Sequence, residues 1–147
     1  MNYQDIDGAD TYFETRLFSE PWTIATTLNK TAALTMATKA IDNLKYDSKK
    51  VDPDQANEFP REPNTTVPQA IKDACCEIAL TLLDGNDPNE AAENLSVERR
   101  SFSGVSTTYN TDIGKPWVSA GILSKVAWNL LVPYMADHKK ILVRRGS

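Results

Sequence analysis

Apolar residues recur at helical spacing in four stretches of this 147-residue chain, separated by proline, glycine and polar runs. The first, residues 9 to 18 ("ADTYFETRLF"), places Tyr12, Phe13, Leu17 and Phe18 on one side, with Asp7 or Asp10 able to cap the start. After "SEPW", where Ser19 precedes a proline-containing first turn, a second helix is expected over residues 28 to 45. Its stripe is Ala33, Ala37, Ala40, Ile41 and Leu44, and the alanines permit a neighbouring helix to come close. Residues 46 to 66 hold three prolines and no period, which predicts a long loop.

The third helix is expected to begin at "TTVPQAIK", capped by Thr65 or Thr66 with Pro68 in its first turn, and to end at Gly85. Ile71, Ala74, Cys75, Ile78 and Leu82 form one apolar stripe, and Cys76, Leu80 and Leu83 a second. Asp73, Glu77, Thr81 and Asp84 are left as the only polar strip, so this helix is expected to be packed on most sides. "NDPNEAAENL" is expected to add a short turn of helix, and the alternation in "SVERRSFSGVSTTYNTDIGKPW" predicts a hairpin or projecting loop whose apolar contacts are Val97, Phe102, Val105 and Tyr109. A fourth helix is expected over residues 119 to 131, disturbed at its end by Pro133, and "KKILVRRG" reads as an extended arm.

These elements give a mainly α fold: a small bundle of about four helices with a β-hairpin or long loop excursion and an extended C-terminal arm. The bundle domain spans residues 1–132 and includes the excursion at 95–116, and the arm spans 133–147. In the long loop, Phe59 is expected to plug the bundle and Pro60 to fix the turn. Arg61 either pairs with a carboxylate of its own subunit or reaches the next one.

Charge divides the chain. The formal net charge is −4, and Asp5, Asp7 and Asp10 stand near the start without a basic partner. The last eleven residues, "DHKKILVRRGS", hold Lys139, Lys140, Arg144 and Arg145 against one acid. The acidic balance speaks against a general nucleic-acid binder, which needs a surplus of cations on its binding face. "MNYQDIDGAD" has neither the positive region nor the apolar run of a secretory signal, so cytosolic synthesis is expected. With Cys75 and Cys76 adjacent, no disulfide framework is expected.

Candidate chemistry is sparse. Cys75 and Cys76 point about 100° apart on a helix, and with only the distant His138 they make a poor metal set, so no metal and no cofactor is expected. His138 is the only possible histidine base, and it sits in a lysine-rich tail. The pairs Asp84/Asp87 and Glu90/Glu93 suit a solvated surface, and the glycine-containing turns lack phosphate-loop spacing. No catalytic residue is assigned and the chain is read as a non-enzyme. Trp22, Trp117 and Trp128 suit a core or interface, although Trp117 beside Lys115 could stack a base.

The order "YFETRL", "W", "KTAALTMATKAIDNLKY", "FPR", "VPQAIKDACCEIALTLL", and finally "VPYM" and "VRRG" resembles the head–tail connector (adaptor) proteins of tailed bacteriophages over about residues 8 to 145. Some relatives of that type are described as DnaT-like single-stranded DNA-binding proteins. The resemblance implies a structural virion protein of the neck, assembled in the host cytoplasm. Usually twelve copies form a ring under the portal protein, facing a tail or head-closure protein, with DNA passing through the lumen and no membrane contact. It would place Arg61, Trp117, Tyr134, Lys139, Lys140, Arg144 and Arg145 at portal or subunit interfaces. Arg99, Arg100, Phe102 and Tyr109 would lie in a tail-facing loop within 97–112. Two rival readings are a single-stranded DNA-binding replication accessory protein, which predicts salt-sensitive oligonucleotide binding lost on neutralising the tail, and a small helical protein-binding regulator.

Overall fold

The computed structural model describes the backbone of residues 1–103 and 115–136, and the side chains of that span except 96–103. The described residues are mainly helical and contain no strand, only isolated bridges at Tyr46–Met135 and Lys50–Arg61. The helices are α1 (Ile6–Phe13), α2 (Glu20–Ile24), α3 (Thr27–Asp42), α4 (Gln69–Leu83), α5 (Pro88–Ser103), α6 (Pro116–Ser119) and α7 (Lys125–Leu131), followed by a 3-10 turn, Val132–Tyr134.

Helix α4 is the centre, packed against α3, α7, α2 and α1. Every residue from Ala74 to Leu80 is buried, so the helix has no solvent face over two turns. Helix α3 runs antiparallel to it. Ala33 and Ala37 let the two backbones approach, and the Cys75 Sγ lies 3.7 Å from both the Leu34 carbonyl and the Thr38 hydroxyl. The thiols thus serve as small core side chains, and burial pushes Cys75 up to about 11 and Cys76 up as well.

The polar strip expected along α4 is corrected at Glu77, which is 2% exposed. Its carboxylate is matched from α1 and the residues after it. Arg16 donates a two-pronged pair of bonds, Nε to Oε2 at 2.9 Å and Nη2 to Oε1 at 3.0 Å, and the Tyr12 hydroxyl donates to Oε2 at 2.5 Å. A buried carboxylate is tolerated when its lone pairs are filled this way.

Helix α1 begins earlier than expected because Asp5, rather than Asp7 or Asp10, is its cap, its Oδ1 accepting from the Gly8 N–H at 2.7 Å. It also ends earlier, at Phe13, so Leu17 and Phe18 do not share the buried side with Tyr12 and Phe13 but project into solvent. Helix α3 is capped by Thr26, whose hydroxyl accepts from the Asn29 N–H. Helix α4 has Pro68 at its N-cap with no side-chain cap, so neither Thr65 nor Thr66 caps it. It closes as expected at Gly85, whose φ of +92° suits glycine.

The largest departure lies beyond Gly85. The expected hairpin at 95–116 is helix up to Ser103, because "NEAAENLSVERR" is rich in strong helix formers and Ala91, Ala92 and Leu95 recur at helical spacing. The remainder of the expected excursion, 104–114, lies outside the described residues. The expected fourth helix, 119–131, is helical mainly over α7: α6 precedes it, Gly121, at φ +85°, stands in the turn between them, and Ser124 caps α7 through the Ala127 N–H. Among the described residues no helix is long and apolar enough to cross a membrane.

Two outcomes follow for stability. Arg16→Met strands the buried Glu77 charge and is expected to cost about 3 kcal/mol, whereas Glu77→Gln, which leaves a guanidinium that can reach water, costs less; urea unfolding of both variants measures the difference. Cys75, Cys76, Tyr3, Tyr12 and Tyr46 all hold their protons more tightly folded than unfolded, chiefly through burial. Their contribution is complete below their ordinary values, near 9 for the thiols and 10 for the phenols, and is lost as pH rises through the folded values. The urea midpoint should fall as pH rises above about 9, and a midpoint flat from pH 8 to 11 would contradict this.

Candidate nucleic-acid interface

Opposite the α1–α2 corner, an aromatic cluster closes the bundle. The Phe59 ring meets the edges or faces of Tyr3, Tyr46 and Tyr134 at 6.0, 4.6 and 5.7 Å between centroids, each near perpendicular. The Tyr3 hydroxyl donates to Asp42 and accepts the Phe59 N–H at 3.1 Å, so the N-terminus, the end of α3 and the long loop are tied together. Phe59 is therefore the plug that its place in the sequence predicts, with Pro60 following in a cis peptide.

Arg61 finds a carboxylate within its own chain. It pairs with Glu58 of its own chain at 3.2 Å, donates to the carbonyls of Glu58 and Ser48, and lies 5.7 Å over the Tyr46 ring. Its Nε is buried without a partner. Desolvation pushes the Tyr46 hydroxyl up, the nearby carboxylates of Asp42 and Glu58 add to this, and Arg61 opposes it.

The same corner anchors the start of the basic arm. The Ala136 N–H donates to the Lys45 carbonyl at 2.9 Å and the Asp47 N–H donates to the Tyr134 carbonyl at 3.1 Å, framing the Tyr46–Met135 bridge. The chain beyond Ala136, with Lys139, Lys140, Arg144 and Arg145, lies outside the described residues, but its point of departure is fixed beside "KYDSKK". Of those lysines, Lys50 is paired with Glu58 at 3.2 Å, while Lys45 and Lys49 are exposed with no ion pair among the described residues. Sequence reasoning passed over Lys45 as the end of a helix and Lys49 and Lys50 as loop. The signal was there in three cations within six residues, but only the fold brings them to the root of the arm.

The other candidates are dispersed. Trp117 is partly buried against the core, and the cation above its ring is Lys125, at 5.6 Å, rather than Lys115. Tyr134 is spent in the Phe59 cluster. Arg99, Arg100 and Phe102 fall on α5, where side chains are outside the described residues, and Tyr109 lies wholly outside them. Among the described residues no group of three or more His, Cys, Asp or Glu side chains is placed to hold a metal ion.

The structure shows what the motifs of the connector resemblance do. "YFETRL" supplies the ligands of Glu77, "FPR" supplies the aromatic plug and an internally paired arginine, and "ACCEIAL" is the buried turn of α4. These motifs encode packing, and packing does not specify a portal contact. No curated protein and no solved structure matches the chain. A family model described as "Putative DnaT-like ssDNA binding protein" matches residues 2–146, nearly the whole chain. That match overturns the assignment to a virion neck, a portal-binding connector and an oligomeric ring, which rested on the same motifs. The chain belongs to the DnaT-like single-stranded DNA-binding family.

Proposed function

We propose that this protein binds single-stranded DNA as a replication accessory protein and is not an enzyme, with the backbone phosphates held by the C-terminal arm and the lysines at its root. The observation that carries this reading is the family match over residues 2–146. The layout of charge supports it. Residues 1–136 hold 12 basic and 19 acidic side chains, whereas residues 137–147 hold four basic and one acidic. A strand of phosphates is repelled by such a body and attracted to the arm, so the contact is confined to one end of the molecule. Lys45 and Lys49 extend the cationic surface to the point where the arm leaves the bundle. Binding of this kind reads the backbone and is sequence-tolerant.

Six cations, Lys45, Lys49, Lys139, Lys140, Arg144 and Arg145, are available to phosphates, so the logarithm of affinity should fall with the logarithm of salt concentration at a slope of about −4. Deleting residues 138–147 leaves two, a slope nearer about −1.4, with most of the affinity lost. Fluorescence anisotropy of a labelled oligothymidylate against salt measures both. Equal binding by the full and shortened chains, or none by either, would overturn the reading.

A further inference from the structure

The loop that roots the arm also frames a pocket that contacts to phosphates leave unused. Its apolar lining includes Phe59, Pro133 and Tyr134, and its volume is about 210 Å³. A cavity of about 150 Å³ accepts benzene, and sites for drug-sized ligands start near about 300 Å³, so this one suits a single substituted six-membered ring.

Its place ties it to the arm. The Tyr134 carbonyl accepts the Asp47 N–H, the Lys45 carbonyl accepts the Ala136 N–H, and the Lys49 carbonyl accepts the Glu62 N–H at 2.8 Å. Tyr134, Asp47 and Glu62 all line the pocket. It therefore lies beside the backbone of Lys45 and Lys49 and the point where the arm departs, next to the cations assigned to phosphates.

The polar lining sets the chemistry of an occupant. Arg61 lines the pocket, and its Nε is the one buried side-chain nitrogen or oxygen without a hydrogen-bond partner among the described residues. Its two Nη atoms are already taken by Glu58 and the Ser48 carbonyl. A buried donor is costly until an acceptor is supplied. Asp47 and Glu62 are exposed, and neither has an ion pair among the described residues. Two free carboxylates beside a guanidinium that is already paired repel a phosphate but accept from an amino group. The exposed Asn64 adds an amide that can donate or accept.

Cytosine is the single-ring base with an exocyclic amine, and carboxylates accept from that amine. Thymine, of similar size, carries a carbonyl there, which the carboxylates disfavour. We infer that the pocket receives one cytosine of the bound strand, its amino group on Asp47 or Glu62, its ring acceptors facing Arg61 and Asn64, and its ring against Phe59, Pro133 and Tyr134. The inference rests on the DNA reading and adds a base preference to a contact that is otherwise sequence-tolerant.

Fluorescence anisotropy of the full chain with labelled oligodeoxycytidylate and oligothymidylate of one length separates the two claims. Oligodeoxycytidylate should bind about tenfold tighter, as a well-placed contact to a base edge discriminates at that level. The two salt slopes should be equal, because a base contact releases no counterion. Asp47→Ala combined with Glu62→Ala alters only exposed side chains, so the unfolding temperature should hold while the ratio falls to about one and oligothymidylate binds at least as well as before. Asn64→Ala should lower the ratio about threefold and leave oligothymidylate binding unchanged. Equal binding of both oligonucleotides by the parent chain, or a preference untouched by the double substitution, would overturn the pocket and leave the arm reading standing. No binding of either would overturn both.

Discussion

The fold depends on how a carboxylate is accommodated on a helix that has no outside. Helix α4 buries seven consecutive residues, and Glu77 is the only charged one among them. Its charge has to be answered locally, and the answer comes from the first helix and the turn after it. Tyr12 is placed by α1, and Arg16 follows the end of α1 closely enough to lay its fork on the carboxylate. Helix α1 is too short and too acidic to hold its position by itself, so the Glu77 tie and the stacking of Phe13 on Trp22 fix where the chain turns. The outward rotation of Leu17 and Phe18 is a direct result, since Arg16 also holds the Leu17 carbonyl.

The opposite end is organised by aromatic edges instead of charge. Tyr3, Tyr46, Phe59 and Tyr134 come from the N-terminus, the loop on either side of its bend, and the turn before the arm. Their mutual packing brings Met135 beside Tyr46 and so sets where the arm leaves. The loop from 43 to 68 has little regular structure, yet its place is well determined: Arg61 and Lys50 share Glu58, and the Lys49 carbonyl accepts the Glu62 N–H at 2.8 Å. The basic root of the arm is thus a product of packing around one phenylalanine.

What could be read in the sequence follows from which signals are local. The central helix, its stop at Gly85, the alanine stripe of α3 and the Phe59 plug were legible because each rests on periodicity or on one residue's conformational limits. Helix α5 was hidden because its sequence holds few large apolar residues, and alternation in its second half imitated a strand. The role of Glu77 was hidden because a carboxylate on a nearly apolar helix reads as solvent-facing, and only the partners 61 and 65 residues away reverse that. Leu17 and Phe18 were misplaced for a related reason: spacing of four and five residues from Phe13 predicts a shared buried side only if the helix continues, and α1 ends at Phe13. The motifs behind the connector resemblance were read correctly as a pattern, but as core residues they could not carry an assignment of partners.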